Sequence, residues 1–153
     1  MAIAYVLHVL AALIWVGGMF FAHSSLRPTA AETLQPPERL RLLTGVFKRF
    51  FLWVKISIVV LFLTGGWIIL LHGGMRNVVW YVHLMLLLAA VMTLIFAYLY
   101  AVPFKRLKAA VDAQDWPTGG QAMAQIRLLV FINLNLGVLA AALGVGGRFW
   151  LGL

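Results

Sequence analysis

The chain has 153 residues, 64% of them hydrophobic and 10% charged, with a formal net charge of +8. A soluble domain carries about 25% charged residues, so this composition excludes a water-solvated fold and points to lipid as the solvent. There is no cysteine, which excludes disulfides, thiolate metal sites and cysteine nucleophiles. The basic residues lie between apolar runs, so they read as topology signals and lipid-headgroup contacts, with no nucleic acid as partner.

Four apolar runs follow in chain order, at about 3–24, 50–71, 78–102 and 128–150. Each has about 20 residues or more, enough to cross a ~30 Å hydrocarbon core. The first lacks the basic leading region of a cleaved signal peptide and is long enough to span. The expected fold is an all-α integral membrane four-helix bundle forming one transmembrane domain over 1–153. The loops 25–49 and 103–127 carry nearly all the positive charge. Ten Lys and Arg fall on that side (Arg27, Arg39, Arg41, Lys48, Arg49, Lys55, Lys105, Arg106, Lys108, Arg127) against Arg76 and Arg148 on the other. The positive-inside rule places both loops in the cytoplasm and both termini outside, in the periplasm of a bacterial inner membrane. After Pro36-Pro37, Leu40, Leu43, Val46, Phe47 and Phe50 recur at helical spacing between basic residues, as in an interfacial helix leading into the second span. Pro117-Thr118-Gly119-Gly120 reads as a break before the fourth span.

Ionisable groups inside a bilayer are costly, and each is a functional hypothesis. His8 lies about five residues, or ~8 Å, into the first span from the outer side. His83 lies at matching depth in the third span, which runs parallel to the first. Such a pair suits a ligand held between helices of a bundle. It is a full axial set for a six-coordinate heme b, and a copper site would use the same two imidazoles, with His72 as an auxiliary ligand. His72 and His23 otherwise read as interfacial residues. Arg76 and Arg148 either snorkel at helix ends or pair with carboxylates such as heme propionates. Lys55 reads as snorkelling to the inner interface. Asn133, Gly137, Ala141, Gly144 and Arg148 form a stripe suited to helix packing, as do Trp15, Gly17, Gly18, Gly65 and Gly66. The methionines Met19, Met75, Met85, Met92 and Met123 are thioether donors for Cu(I) but form no MxxM or MxM cluster.

Three segments carry a resemblance to a known family. LHVLAALIWVGGMFF at 7–21, KRFFLWVKISIVVLFLTGGW at 48–67 and IRLLVFINLNLGVLAAALGVGGRF at 126–149 resemble helices of the CopD family of bacterial inner-membrane proteins. The chain is similar to that family's minimal four-helix core. The resemblance implies copper resistance or copper movement across the inner membrane. The histidine placement in LHVLAALIWVGG and WYVHL is also similar to HemJ, a heme-binding membrane protoporphyrinogen oxidase. That family typically has a lysine two residues after the third-span histidine, where this chain has Met85.

Two readings therefore stand at this stage. One is a heme b protein, a membrane oxidoreductase if it is an enzyme, passing electrons between a quinone and a periplasmic partner. His8 and His83 would be its axial ligands, and Arg76 and Arg148 would meet its propionates. The other is copper binding or transport through His8, His83 and His72. The glycine faces would permit a homodimer. The charge imbalance makes one expectation directly testable: a C-terminal fusion to a fluorescent protein that folds only in the cytoplasm should stay dark. A bright fusion would invert the topology.

Overall fold

A computed structural model describes residues 1–150, without the side chains of Arg148 and Trp150. The chain forms helices α1 (Ala2–Thr33), α2 (Pro36–Leu71), α3 (Trp80–Ala101), α4 (Pro103–Asp112) and α5 (Trp116–Trp150), with no strand among the described residues. Four of them, α1, α2, α3 and α5, are long and apolar enough to cross a membrane. The protein is a multi-pass, all-α membrane protein. Its spans keep apolar side chains on the outside: Ile3, Leu63 and Leu94 are about 70% exposed. In water that surface would be untenable, and in hydrocarbon it is solvated. Four crossings put the chain's two ends and the α2–α3 turn at one end of the bundle, here the terminal end. The α1–α2 turn and α4 lie at the other, the basic end.

Each helix boundary has a local cause. At the start of α2, Gln35 is extended and Pro36 and Pro37 occupy the first turn, with Glu38 beside them. Proline suits that position because its missing N–H has no helical partner there, and an acidic residue favours the positive helix end. The far end of α2 closes through Gly73 and Gly74, both at positive φ, with the Gly74 N–H donating to the Ile69 carbonyl; glycine takes this conformation without a Cβ penalty. Asp115 opens α5. Its Oδ1 accepts from the Thr118 N–H at 3.2 Å, and hydrogen bonding from Thr118 holds this carboxyl below its usual range. The break expected at Pro117–Gly120 is therefore displaced to residues 113–115. Pro117 sits in the first turn, where it is compatible with a helix, and Gly119 and Gly120 continue it.

The helices α2 and α5 have 36 and 35 residues, or roughly 50 Å each at 1.5 Å per residue, which exceeds a ~30 Å hydrocarbon core. The excess projects at the basic end. The segment expected to lie flat as an interfacial helix is instead the first part of α2. Its Leu40, Leu43 and Phe47 face inward and join Phe104 and Leu107 of α4 and Ala122 and Ile126 of α5. Water on the outer side of this layer and apolar neighbours on the inner side give α4 its two faces, with Lys105, Arg106 and Lys108 outward. Phe51, 2% exposed, anchors the junction of layer and membrane, with ring contacts to Phe47, Phe96, Tyr100 and Phe104. Lys55 sits at this level with Nζ 3.6 Å from the centre of the Tyr100 ring, a cation–π contact that satisfies the charge.

Within the membrane, α1 packs on α2 and α3 packs on α5. The one shared core includes Trp15, Met19, Val54, Met92 and Leu134 and extends to the basic end. α1 contains two π-helical turns, Leu13–Gly17 and Ala22–Leu26. The second ends two residues before Pro28, which lacks an N–H and crowds the carbonyl four residues back, and a wider turn relieves both. Not every glycine expected to pack closely does so. A Cβ at Gly18 would collide with Phe50, and one at Gly65 would press on His8, but Gly17 and Gly66 face open space. Gly137 is where α1, α3 and α5 meet: an added Cβ would lie 2.7 Å from Val16 Cγ2 and 3.1 Å from Met92 Cε. Gly137→Ala should therefore destabilise the protein by about 1–3 kcal/mol through overpacking. Gly66→Ala, in open space on a helix, should stabilise it by up to about 1 kcal/mol. Thermal unfolding in detergent compares the two, and equal effects would refute the three-helix contact.

Candidate functional site

α1 presents one stripe to its neighbours. Ala4, Ala11, Trp15, Met19 and Ala22 are buried, and His8, half-buried, lies on the same side. His8 is positioned by α2. Its Nδ1 is 2.9 Å from Thr64 Oγ1, and Gly65 leaves room for the ring, whose Cε1 would be 3.3 Å from a Cβ there. The Thr64 hydroxyl donates to the Val60 carbonyl at 2.6 Å. A hydroxyl has one proton. With that proton directed at Val60, Thr64 Oγ1 accepts from His8 in the tautomer that carries its hydrogen on Nδ1 and leaves the Nε2 lone pair free. This arrangement prepares a ligand: a hydrogen bond at one ring nitrogen fixes the tautomer and aims the other.

α3 presents Leu88, Met92, Phe96 and Leu99 inward, with Tyr81 and Met85 half-buried on the same face. Tyr81 lies against Gly147 and Met85 against Gly144 of α5, with Met85 Cε 3.0 Å from a Cβ built at Gly144. His83, two residues from each of Tyr81 and Met85, is rotated about 200° away from both. It is exposed, and its Nδ1 faces the Val79 carbonyl of its own helix at 3.4 Å. The structure thus does not bring His8 and His83 together. The inward donor of α3 at the level where His83 was expected is Met85.

The remaining sequence candidates are spread out. His72 is exposed at the end of α2, with Nδ1 2.8 Å from the Ile68 carbonyl, and Arg76 is exposed on the α2–α3 turn. The Arg148 side chain lies outside the described residues. The His23 ring lies tilted against Phe131, with centroids 5.2 Å apart, near the basic end. Asn133 donates from Nδ2 to the Met92 carbonyl at 3.1 Å, while its buried Oδ1 has no partner. Together with the Gly137 and Gly144 contacts, this accords with a packing role for the stripe. Among the described residues no three histidine, cysteine, aspartate or glutamate side chains gather as a metal-binding group. Soft donors do face inward at successive depths. Met92 meets Gly137, and Met85 lies seven residues, or roughly 10 Å, nearer the terminal end. His8 is displaced from Val16, which also touches Gly137, by a similar length. Met19 is buried on the basic side of Val16. Thr64 was missed, and Met85 and Met92 were weighed only as scattered thioethers, because nothing in a uniformly apolar run marks its inner face.

These features define a class: a four-span membrane bundle with an oriented, half-buried histidine and an interior supplied with thioethers. The family profile described as copper resistance protein D, CopD, matches residues 44–147, and the chain belongs to the CopD family. His8 and the rest of the first span precede the matched residues. No curated protein and no solved structure gives a match.

The Thr64 relay can be tested without a metal. In protein with ¹⁵N-labelled histidine, His8 should show a protonated Nδ1 and an unprotonated Nε2. Thr64→Val should redistribute the tautomers and Thr64→Ser should preserve them. An unchanged spectrum in Thr64→Val would remove Thr64 from the site.

Proposed function

We propose that this CopD-family protein handles copper in the bacterial inner membrane, with monovalent copper as its cargo. The observation that carries the reading is the bond between His8 Nδ1 and the Thr64 hydroxyl, which points to a tautomer with the Nε2 lone pair available within the span. Cu(I) is a soft ion that takes imidazole and thioether ligands, and neither needs to lose a proton from a charged form inside the bilayer. Met85 supplies a thioether at about the depth of His8, and Met92 and Met19 supply thioethers deeper in the bundle. The family's copper-resistance description supports this cargo. The lysine-rich and arginine-rich loops set the orientation, with the terminal end and His8 toward the periplasm.

Copper binding to purified protein under reducing conditions, measured by competition with a chromogenic Cu(I) chelator, tests the reading. His8→Ala should weaken binding by about tenfold or more, the loss typical when a ligand or its support is removed. Met85→Leu and Met92→Leu keep the packing volume and should each weaken it by a smaller factor. His83→Ala and His72→Ala should leave it unchanged. Wild-type affinity in His8→Ala and in both methionine variants would overturn the proposal. A Soret band lost in His8→Ala would replace copper with heme.

A further inference from the structure

At the basic end, away from the copper donors, a crevice runs between α1 and α5. A narrow pocket and an open groove of about 500 Å³ adjoin there, and both are lined by His23, Arg27 and Arg127. Two other cations at this end lie against aromatic rings: Lys55 over Tyr100, and Arg41 5.1 Å from the centre of the Trp116 ring. Arg27 does not share that pattern. It is half-buried, and the charges that act on it are those of Arg127 and Arg39, with no carboxylate among them. Two guanidinium groups held in one crevice repel each other, and the repulsion is strongest where water thins at the edge of the hydrocarbon. An anion between them would remove that cost, and arginine's planar fork suits phosphate oxygens.

The crevice also has an apolar side. Arg27 and Arg127 bracket the end of the membrane-spanning length, and the surface just inside it is formed by exposed Leu128 and Phe131, with the His23 ring against Phe131. The charged rim thus stands over an apolar wall that faces lipid. A free phosphate would use only the rim, whereas a phospholipid would use both, with its phosphate between the arginines and an acyl chain along Leu128 and Phe131. We propose that this crevice is a binding site for the phosphate of an anionic phospholipid, held by Arg27 and Arg127.

The test uses the full chain in neutral detergent, titrated with phosphatidylglycerol in mixed micelles. Bound lipid is read by native mass spectrometry and stabilisation by thermal unfolding. Parallel titrations use phosphatidylcholine and inorganic phosphate. Wild type should retain phosphatidylglycerol in preference to phosphatidylcholine. At about 1 kcal/mol per arginine near an anionic surface, Arg127→Gln should weaken retention by about fivefold, and Arg27→Gln with Arg127→Gln by about thirtyfold. Lys105→Gln with Arg106→Gln removes the same net charge from the outer face of α4 and should leave retention unchanged. The lipid-free unfolding midpoint, read in the same assay, identifies a variant that has lost its fold, and Arg127 is exposed, so the single variant keeps the test decisive. Undiminished retention in the double arginine variant, or an equal loss in the α4 variant, would overturn the site. Equal stabilisation by millimolar inorganic phosphate would overturn its assignment to lipid.

Discussion

Helices already dissolved in hydrocarbon gain little by burying apolar surface against one another, so something else must hold them in one arrangement. Here that is close approach at a few small residues, supplemented by isolated polar bonds. Gly137 lets α1 and α3 reach α5 at one level, Gly144 and Gly147 seat Met85 and Tyr81, and Gly65 seats His8. The Asn133 amide crosses to the α3 backbone, and His8 crosses to Thr64. The candidate site is made of the same contacts as the fold. The bond that orients His8 is also one of the few polar links between α1 and α2.

The balance changes along the long axis. At the basic end water is present, and the ordinary hydrophobic effect operates again. Leu40, Leu43, Phe47, Phe104, Leu107, Ala122 and Ile126 form a core there of the kind found in soluble proteins. Toward the terminal end, α1 with α2 and α3 with α5 are each closely paired, while the contacts common to both pairs lie in the other half. The shared core thus lies toward the basic end, and His8 belongs to one pair while Met85 belongs to the other.

This division explains which features could be read from the sequence. The spans were legible because length and apolarity alone determine them. The depth of each residue was legible too, since a helix rises by a constant amount per residue. Rotation about the helix axis was not. When both lipid and core are apolar, no periodic pattern distinguishes the inward face. His8 and His83 therefore matched in depth, yet one is half-buried against a neighbouring helix and the other exposed, and Met85, which read only as an unclustered thioether, turned inward. At the basic end the opposite held. Leu40, Leu43 and Phe47 showed a clear period because one side of α2 meets water. Their partner was misjudged: a pattern that fits a membrane surface equally fits α4, and only the tertiary contact distinguishes the two. Arg27 and Arg127, useful as counts for orientation, gave no sign in sequence that they would meet, since 100 residues separate them.

The unbroken lengths of α2 and α5 have a mechanical consequence. Both run as single rods from the water-exposed layer through the full thickness of the membrane, whereas α1 passes through two widened turns and α3 ends at the bend before Pro103. Anything that tilts the layer is delivered to α2 and α5 as lever motion and to α1 and α3 only through joints. Thr64 rides on a rod and His8 on a jointed helix, so a load on the loops acts directly across the bond between them.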